Sequence, residues 1–139
     1  MIKFLEATLD DIPQIAAWSK SDPYHLHQDC PEWWLGDGAV LAFCLLDECG
    51  PLTYVRLDAE GEYVRMHVQF PPESVVSKSR LAKGIIHCQL TLSEYFKGSD
   101  YWGFIFNSTS PSLIAFMGRL GFVRVGDTDD YRLDFEGRL

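Results

Sequence analysis

The sequence predicts an α+β fold, a mixed and mostly antiparallel sheet of about seven strands with helices laid against it. Three observations carry that expectation. Residues 39 to 70 hold three strand-like runs in succession, separated by turn signals, as in an antiparallel meander. Residues 77 to 122 then alternate helix, strand and helix periodicity, which requires at least one crossover. The chain has 139 residues, 47% of them apolar and 23% charged, which suits one domain over 1–139 built around one core.

Taken in order, Ile2 to Ala7 has the apolar character of a first strand. Thr8 fits a helix N-cap with Asp11 three residues on, and Pro13 falls in the first turn, where a missing N–H costs little. Ile12, Ile15 and Ala16 make one helical face, and Ser21-Asp22-Pro23 ends it. Cys30-Pro-Glu-Trp-Trp-Leu fits a short second helix, with Trp33 and Trp34 as packing residues. Ala39 to Leu46 is continuously apolar, as for a strand covered on both faces. Leu52 to Leu57 follows, and Asp58-Ala-Glu-Gly turns the chain back. From Glu62 to Phe70, Val64, Met66, Val68 and Phe70 alternate with Arg65, His67 and Gln69, which is the period of a strand with one buried face. Ser77 or Ser79 can cap the next helix, whose apolar positions are Leu81, Ile85, Cys88, Leu92 and Tyr95. Tyr101 to Phe106 is wholly apolar or aromatic, as for a central strand. Ser110-Pro111 starts a last helix, Gly121 stops it, and 122–125 with 131–135 make a closing hairpin.

Composition narrows the functions. A net charge of −8 speaks against general binding to nucleic acid or to an anionic membrane. No apolar run approaches the roughly 20 residues of a bilayer span, and the start has no signal-peptide pattern, so a cytoplasmic protein is expected. The four cysteines include no Cys-x-x-Cys pair, and Cys44 and Cys88, in apolar contexts, read as reduced core thiols. His25, His27 and Cys30 have metal-ligand spacing but no evident fourth ligand, so no metal is expected. Within this acidic chain, Lys78, Arg80 and Lys83 stand within six positions, and no acid occurs between Glu73 and Glu94. That is either a solvated helix start or an anion site.

The element order, together with Met66-His-Val-Gln-Phe-Pro, Arg80-Leu-Ala-Lys-Gly84-Ile-Ile, Asn107 and Phe116-Met-Gly-Arg-Leu-Gly121-Phe122, resembles the GNAT superfamily of acyl-CoA N-acyltransferases over almost the whole chain. The resemblance implies helices on both faces and a sheet splayed between its fourth and fifth strands, here between 64–68 and 103–106. It implies acetyl-CoA as co-substrate without a metal. Met66, Val68 and Asn107 would meet its pantetheine arm, and Lys78, Ser79, Arg80, Ala82, Lys83 and Gly84 its pyrophosphate. The acceptor would be an amine of a small molecule or peptide, met by acidic residues around Asp22, Asp29, Glu32 and Asp37. Members of that family often dimerise, so a homodimer fits the resemblance.

Three departures from the family pattern stand out. Leu81 and Ile86 replace residues of the usual phosphate loop, and Met117 stands where many members carry a Tyr that acts as the acid. For the base, the fourth strand offers Glu62, near its start, and His67, which equally suits an exposed strand position. The stretch from Asn107 to Phe116 is also similar to acetyltransferase-like proteins of tailed phages. Two functions are therefore expected: an N-acetyltransferase, or a catalytically degenerate relative with a binding or structural role.

Overall fold

The computed structural model describes residues 1–22 and 31–135. His25, His27, Asp29 and Cys30, named above, lie outside the described residues. One sheet of seven strands runs in the order β1-β2-β3-β4-β5-β7-β6. Its strands are β1 (Lys3–Glu6), β2 (Ala39–Asp47), β3 (Gly50–Glu60), β4 (Tyr63–Gln69), β5 (Gly103–Asn107), β6 (Val123–Arg124) and β7 (Asp130–Asp134). All neighbouring pairs are antiparallel except β4 and β5, which run parallel. A parallel pair needs a crossover, and α2 (Lys78–Phe96) supplies it. The other helices are α1 (Ile12–Ser19) and α3 (Pro111–Arg119), with short 3-10 turns at Leu9–Asp11 and Pro31–Leu35.

Strand alternation sends neighbouring side chains to opposite faces, and each face meets its own helices. Phe43, Leu45, Val55, Leu57, Val64 and Met66 point to the side of α2 and α3, where Cys88, Leu92, Phe96 and Met117 close the larger core. Cys44 and Tyr54 point the other way and pack with Ile15 and Trp18 of α1 and with Trp34. Trp34 is a packing residue, as its sequence context suggests. Burial of this second cluster pushes the Cys44 thiol up to about 11.

The helix ends follow the sequence closely. Thr8 N–H donates to Asp11 Oδ2 at 2.9 Å, and α1 starts directly after. Ser110 Oγ accepts from Leu113 N–H, with Pro111 opening α3. Gly121, at φ 105°, ends α3 in a backbone region that favours glycine. The largest difference from the sequence reading is at the meander. The meander's middle strand runs on through Glu60, so Asp58 is a strand residue and the turn falls at Gly61 and Glu62. The short second helix expected here is a 3-10 helix over Pro31–Leu35.

Candidate functional site

The sheet opens where β4 and β5 part. Their pairing covers only Tyr63↔Gly103, Val64↔Phe104 and Arg65↔Ile105. Beyond Arg65 the strands diverge, and Met66–Gln69 keep an edge with no strand beside it among the described residues. The expected gap between 64–68 and 103–106 therefore starts later, because Val64 and Phe104 are still paired.

A cavity of about 360 Å³ fills this opening. Met66 and Val68 line it from β4, Phe106 and Asn107 from β5, Ile85, Cys88 and Gln89 from α2, and Leu113 and Met117 from α3. Arg65 and His67, which belong to the opposite face of β4, also border it. The lining is mainly apolar, with a few polar groups at the rim, as in small-molecule sites. Burial pushes the Cys88 thiol up to about 12, so it is neither a base nor a nucleophile at neutral pH.

Just before the opening, a polar cluster ties four strands together, β3, β4, β5 and β7. Arg65 donates to Asp130 Oδ1 of β7 at 3.0 Å and to Glu60 Oε1 at 2.8 Å. Asn107 Nδ2 donates to the same Asp130 Oδ1 at 3.1 Å. The Arg65 guanidinium, helped by Asn107, holds the Asp130 carboxyl below its ordinary range.

A second cluster lies on the α1 face beside His67. Arg56 is 4% exposed and sits over the Trp33 ring, 4.3 Å from its centroid. Its Nε and Nη2 donate to Asp58 at 3.0 Å, its Nη1 to the Trp33 carbonyl, and its Nη2 also to the Asp37 carbonyl at 3.3 Å. His67 Nε2 lies 3.3 Å from Asp58 Oδ2, and its ring meets Trp33 edge-on at 4.8 Å. The sequence reading missed Arg56 and Asp58. A signal was present: an arginine inside the apolar run Leu52–Leu57 needs a partner, and an acid two residues on shares its face.

The segment expected to bind pyrophosphate has a different anatomy. Ser77 caps α2 by accepting from Arg80 N–H at 3.3 Å, so the loop spans only Phe70 to Ser77. Arg80, Ala82, Lys83 and Gly84 thus lie inside the helix. Gly84 faces the sheet, where a Cβ would come 2.6 Å from Leu52 Cδ1 and 3.2 Å from Leu45 Cδ2. Its small size serves helix-to-sheet packing. Arg80 donates to Asp47 through Nε at 2.9 Å and Nη2 at 2.7 Å, which holds that carboxyl below its ordinary range. Lys78 pairs loosely with Glu73, both exposed, and Lys83 is exposed. Val75 and Val76 direct their N–H groups to the Pro72 carbonyl. The N–H groups of Lys78 and Ser79 have no acceptor within the helix and head its first turn.

The two base candidates part company. Glu62 sits in the exposed turn before β4, at the closed end of the β4–β5 pair, where its carbonyl accepts from Trp102 N–H. His67 borders the opening. Of the acids expected near the acceptor, Asp22 is buried, with Oδ2 3.5 Å from Gln69 Nε2, while Glu32 and Asp37 are exposed. Among the described residues, no group of His, Cys, Asp and Glu could hold a metal ion, and no helix is long and apolar enough to cross a membrane.

No protein-family model and no curated protein sequence matches the chain. Solved structures do. The ribosomal-protein-S18-alanine N-acetyltransferase of Escherichia coli superposes with a TM-score of 0.64 at 13% identity, covering 97% of this chain and 94% of that one. A spermidine N-acetyltransferase chimera from Vibrio cholerae and hSSAT gives 0.69 at 14% identity, with 94% and 92% covered. An N-acetyltransferase from Staphylococcus aureus gives 0.64 at 14% identity, with 97% and 98% covered. At such identities the likeness is one of architecture, and with its lone parallel pair splayed at the cavity the chain has the fold of the GNAT N-acetyltransferases.

Proposed function

We propose that the protein transfers an acetyl group from acetyl-CoA to a primary amine of a small molecule or a peptide. The observation that carries this reading is the apolar cavity at an interior strand edge, within a fold shared with N-acetyltransferases. A linear thioester arm suits that cavity. Its amide groups can pair with the β4 edge at Met66–Gln69, and its acyl end can rest among Met66, Val68, Phe106 and Met117. Asn107 adds a polar contact at the rim. The pyrophosphate would sit at the start of α2, on the N–H groups of Lys78 and Ser79, with the Lys78 and Lys83 charges nearby. Ala82 and Gly84 are too deep in the helix for that task, and Arg80 is engaged by Asp47. An acidic protein surface favours a cationic acceptor, and spermidine N-acetyltransferases are among the structural neighbours.

Holding amine and thioester together supplies much of the acceleration in such a transfer. Met117 has no proton to give, so departure of the thiolate relies on water. A second reading, a binding protein with this fold and no turnover, is favoured by Met117 and by the Arg80–Asp47 pair.

A thermal melt with and without acetyl-CoA, followed by calorimetric titration, tests the first reading. Ligand at about one hundred times its dissociation constant adds roughly 2.7 kcal/mol of stability. A shift of that kind, followed by thiol release when an amine is added, is the expected result. No shift at millimolar acetyl-CoA rules out the enzyme, and a shift without thiol release from any amine selects the second reading.

A further inference from the structure

We propose, on the acyltransfer reading above, that the same site takes uncharged acyl groups longer than acetyl, up to about six carbons, with their chains lying between α2 and the strands β2 and β3. The cavity is not confined to the opening between β4 and β5. Its wall also takes in Val55 and Thr53 of β3 and Leu45 of β2. Val55 stands directly across from Val68, and Leu45 directly across from Thr53, so all four share one face of the sheet. That face meets α2, where Ile85, Cys88 and Leu92 form the opposite wall.

A thioester arm paired with Met66–Gln69 lies in the plane of the sheet, on the side of β4 away from β3. Neighbouring strands are about 4.8 Å apart, so β2 lies two spacings, roughly 10 Å, from β4 in the other direction. The wing of the cavity beneath β2 and β3 is therefore off the path of the arm. The acyl end, set among Met66, Val68, Phe106 and Met117, is already on the α2 side of the sheet. An acetyl methyl stops there, whereas a chain of several methylenes continues under β4 into the wing. The size agrees. The cavity, at about 360 Å³, has more than twice the roughly 150 Å³ of an apolar cavity that holds a benzene ring. Protein interiors are close-packed, and an apolar space between helix and sheet forgoes dispersion contacts that a hydrocarbon chain restores. The wall also decides the kind of chain, because its polar side chains are engaged within the protein. Arg65 is bound to Glu60 and Asp130, and Asn107 to Asp130. Thr53 Oγ1 donates to the Gln69 carbonyl at 2.7 Å, and Gln89 Nε2 donates to Ser93 Oγ at 3.3 Å. A carboxylate at the end of the acyl chain would lose its hydration there without gaining a counter-charge, which disfavours a dicarboxylic group such as succinyl. The transfer itself is unchanged. The amine nitrogen bonds to the thioester carbonyl carbon, the carbon–sulfur bond breaks, and the proton lost by the amine reaches the thiolate by way of water.

Calorimetric titration of the whole protein with coenzyme A thioesters of rising chain length tests this and needs no acceptor amine. Hexanoyl-CoA should bind at least about tenfold more tightly than acetyl-CoA, since even one methylene in a fitted apolar pocket is worth that much. Affinity should stop rising before dodecanoyl-CoA, whose chain exceeds the space, and succinyl-CoA should bind no better than acetyl-CoA. Val55→Phe and Cys88→Met narrow the wing from its two walls, and each should cut the preference for hexanoyl over acetyl by about tenfold. Melting curves show whether each variant is folded, and the wild-type series decides without them. Acetyl-CoA bound as tightly as hexanoyl-CoA overturns the proposal and leaves the acyltransfer reading standing. An affinity that keeps rising to dodecanoyl-CoA, the mark of nonspecific apolar adhesion, does the same, as does a gain for succinyl-CoA equal to that for hexanoyl-CoA. A preference kept in full by both folded variants overturns the placement under β2 and β3, and the proposal with it. A protein that binds none of these thioesters overturns both readings.

Discussion

Gly103 has no space for a methyl group. A Cβ there would lie 2.0 Å from the Leu133 carbonyl oxygen and 2.9 Å from Asp134 Cα, both backbone atoms of β7. Gly103→Ala must push β5 and β7 apart beside the first rung of the β4–β5 joint, and should cost at least about 2 kcal/mol in urea unfolding. Gly84 differs because the obstacles are side-chain tips. The gain from Ala in a helix, about 1 kcal/mol, offsets part of the overpacking against two fully buried leucines. At Asp130 the governing term is charge. Its carboxyl titrates below its ordinary value in the folded protein, chiefly through Arg65. The stability it contributes is therefore full above the unfolded value of about 3.9 and drains as pH falls through the lower folded one. Asp47, held low by Arg80, behaves the same way. Asp130→Asn should flatten the fall in melting temperature between pH 5 and pH 2, roughly the range over which such carboxylates titrate. An unaltered slope would mean that the Arg65 pairing carries no net stability.

Among the elements, α2 shows what the sequence made legible and what it did not. Its apolar spacing through Leu81, Ile85, Cys88 and Leu92 matches the face that meets the sheet and the cavity. The period of β4, the run of β5 and the Ser110-Pro111 start of α3 were equally readable, because each depends only on neighbours in the chain. The start of α2 was ambiguous between Ser77 and Ser79, since both can cap. With either cap Gly84 lies inside the helix, and no local pattern separates a glycine that admits a ligand from one that packs helix to sheet. The point where β4 and β5 part was unreadable for a related reason, since register across a parallel crossover is set by tertiary packing. The Arg56–Asp58–His67 cluster needed the two-residue period of β3 carried past Leu57, where the sequence suggested a turn. The cap makes a direct prediction. Ser77→Ala should cost about 1 kcal/mol of stability by removing the acceptor for Arg80 N–H. It should leave Asp47 and Arg80 paired, because their contact is between side chains, and a melting curve checks the loss.

At the scale of the molecule, the three rungs between β4 and β5 join two leaves, β1 to β4 and β5 to β7. Arg65, Asp130 and Asn107 pin that joint from one face, and Val64 with Phe104, both fully buried, pin it from the other. The joint is stiff at one end and open at the other. If the opening receives a thioester arm, amide exchange at Met66–Gln69 should slow with acetyl-CoA bound, while exchange in β1 and β2 stays the same. Equal slowing everywhere would point to general tightening and not to a ligand acting as the missing neighbour. The same opening has a colloidal consequence. The outer strands are short, four residues in β1 and two in β6, so they offer little backbone to another chain. An open edge of four residues, Met66–Gln69, lies inside among the described residues, and it carries the apolar Met66 and Val68. If that edge does receive the thioester arm, the empty protein carries an unpaired apolar strand at its centre, and storage with acetyl-CoA should keep its solutions clearer.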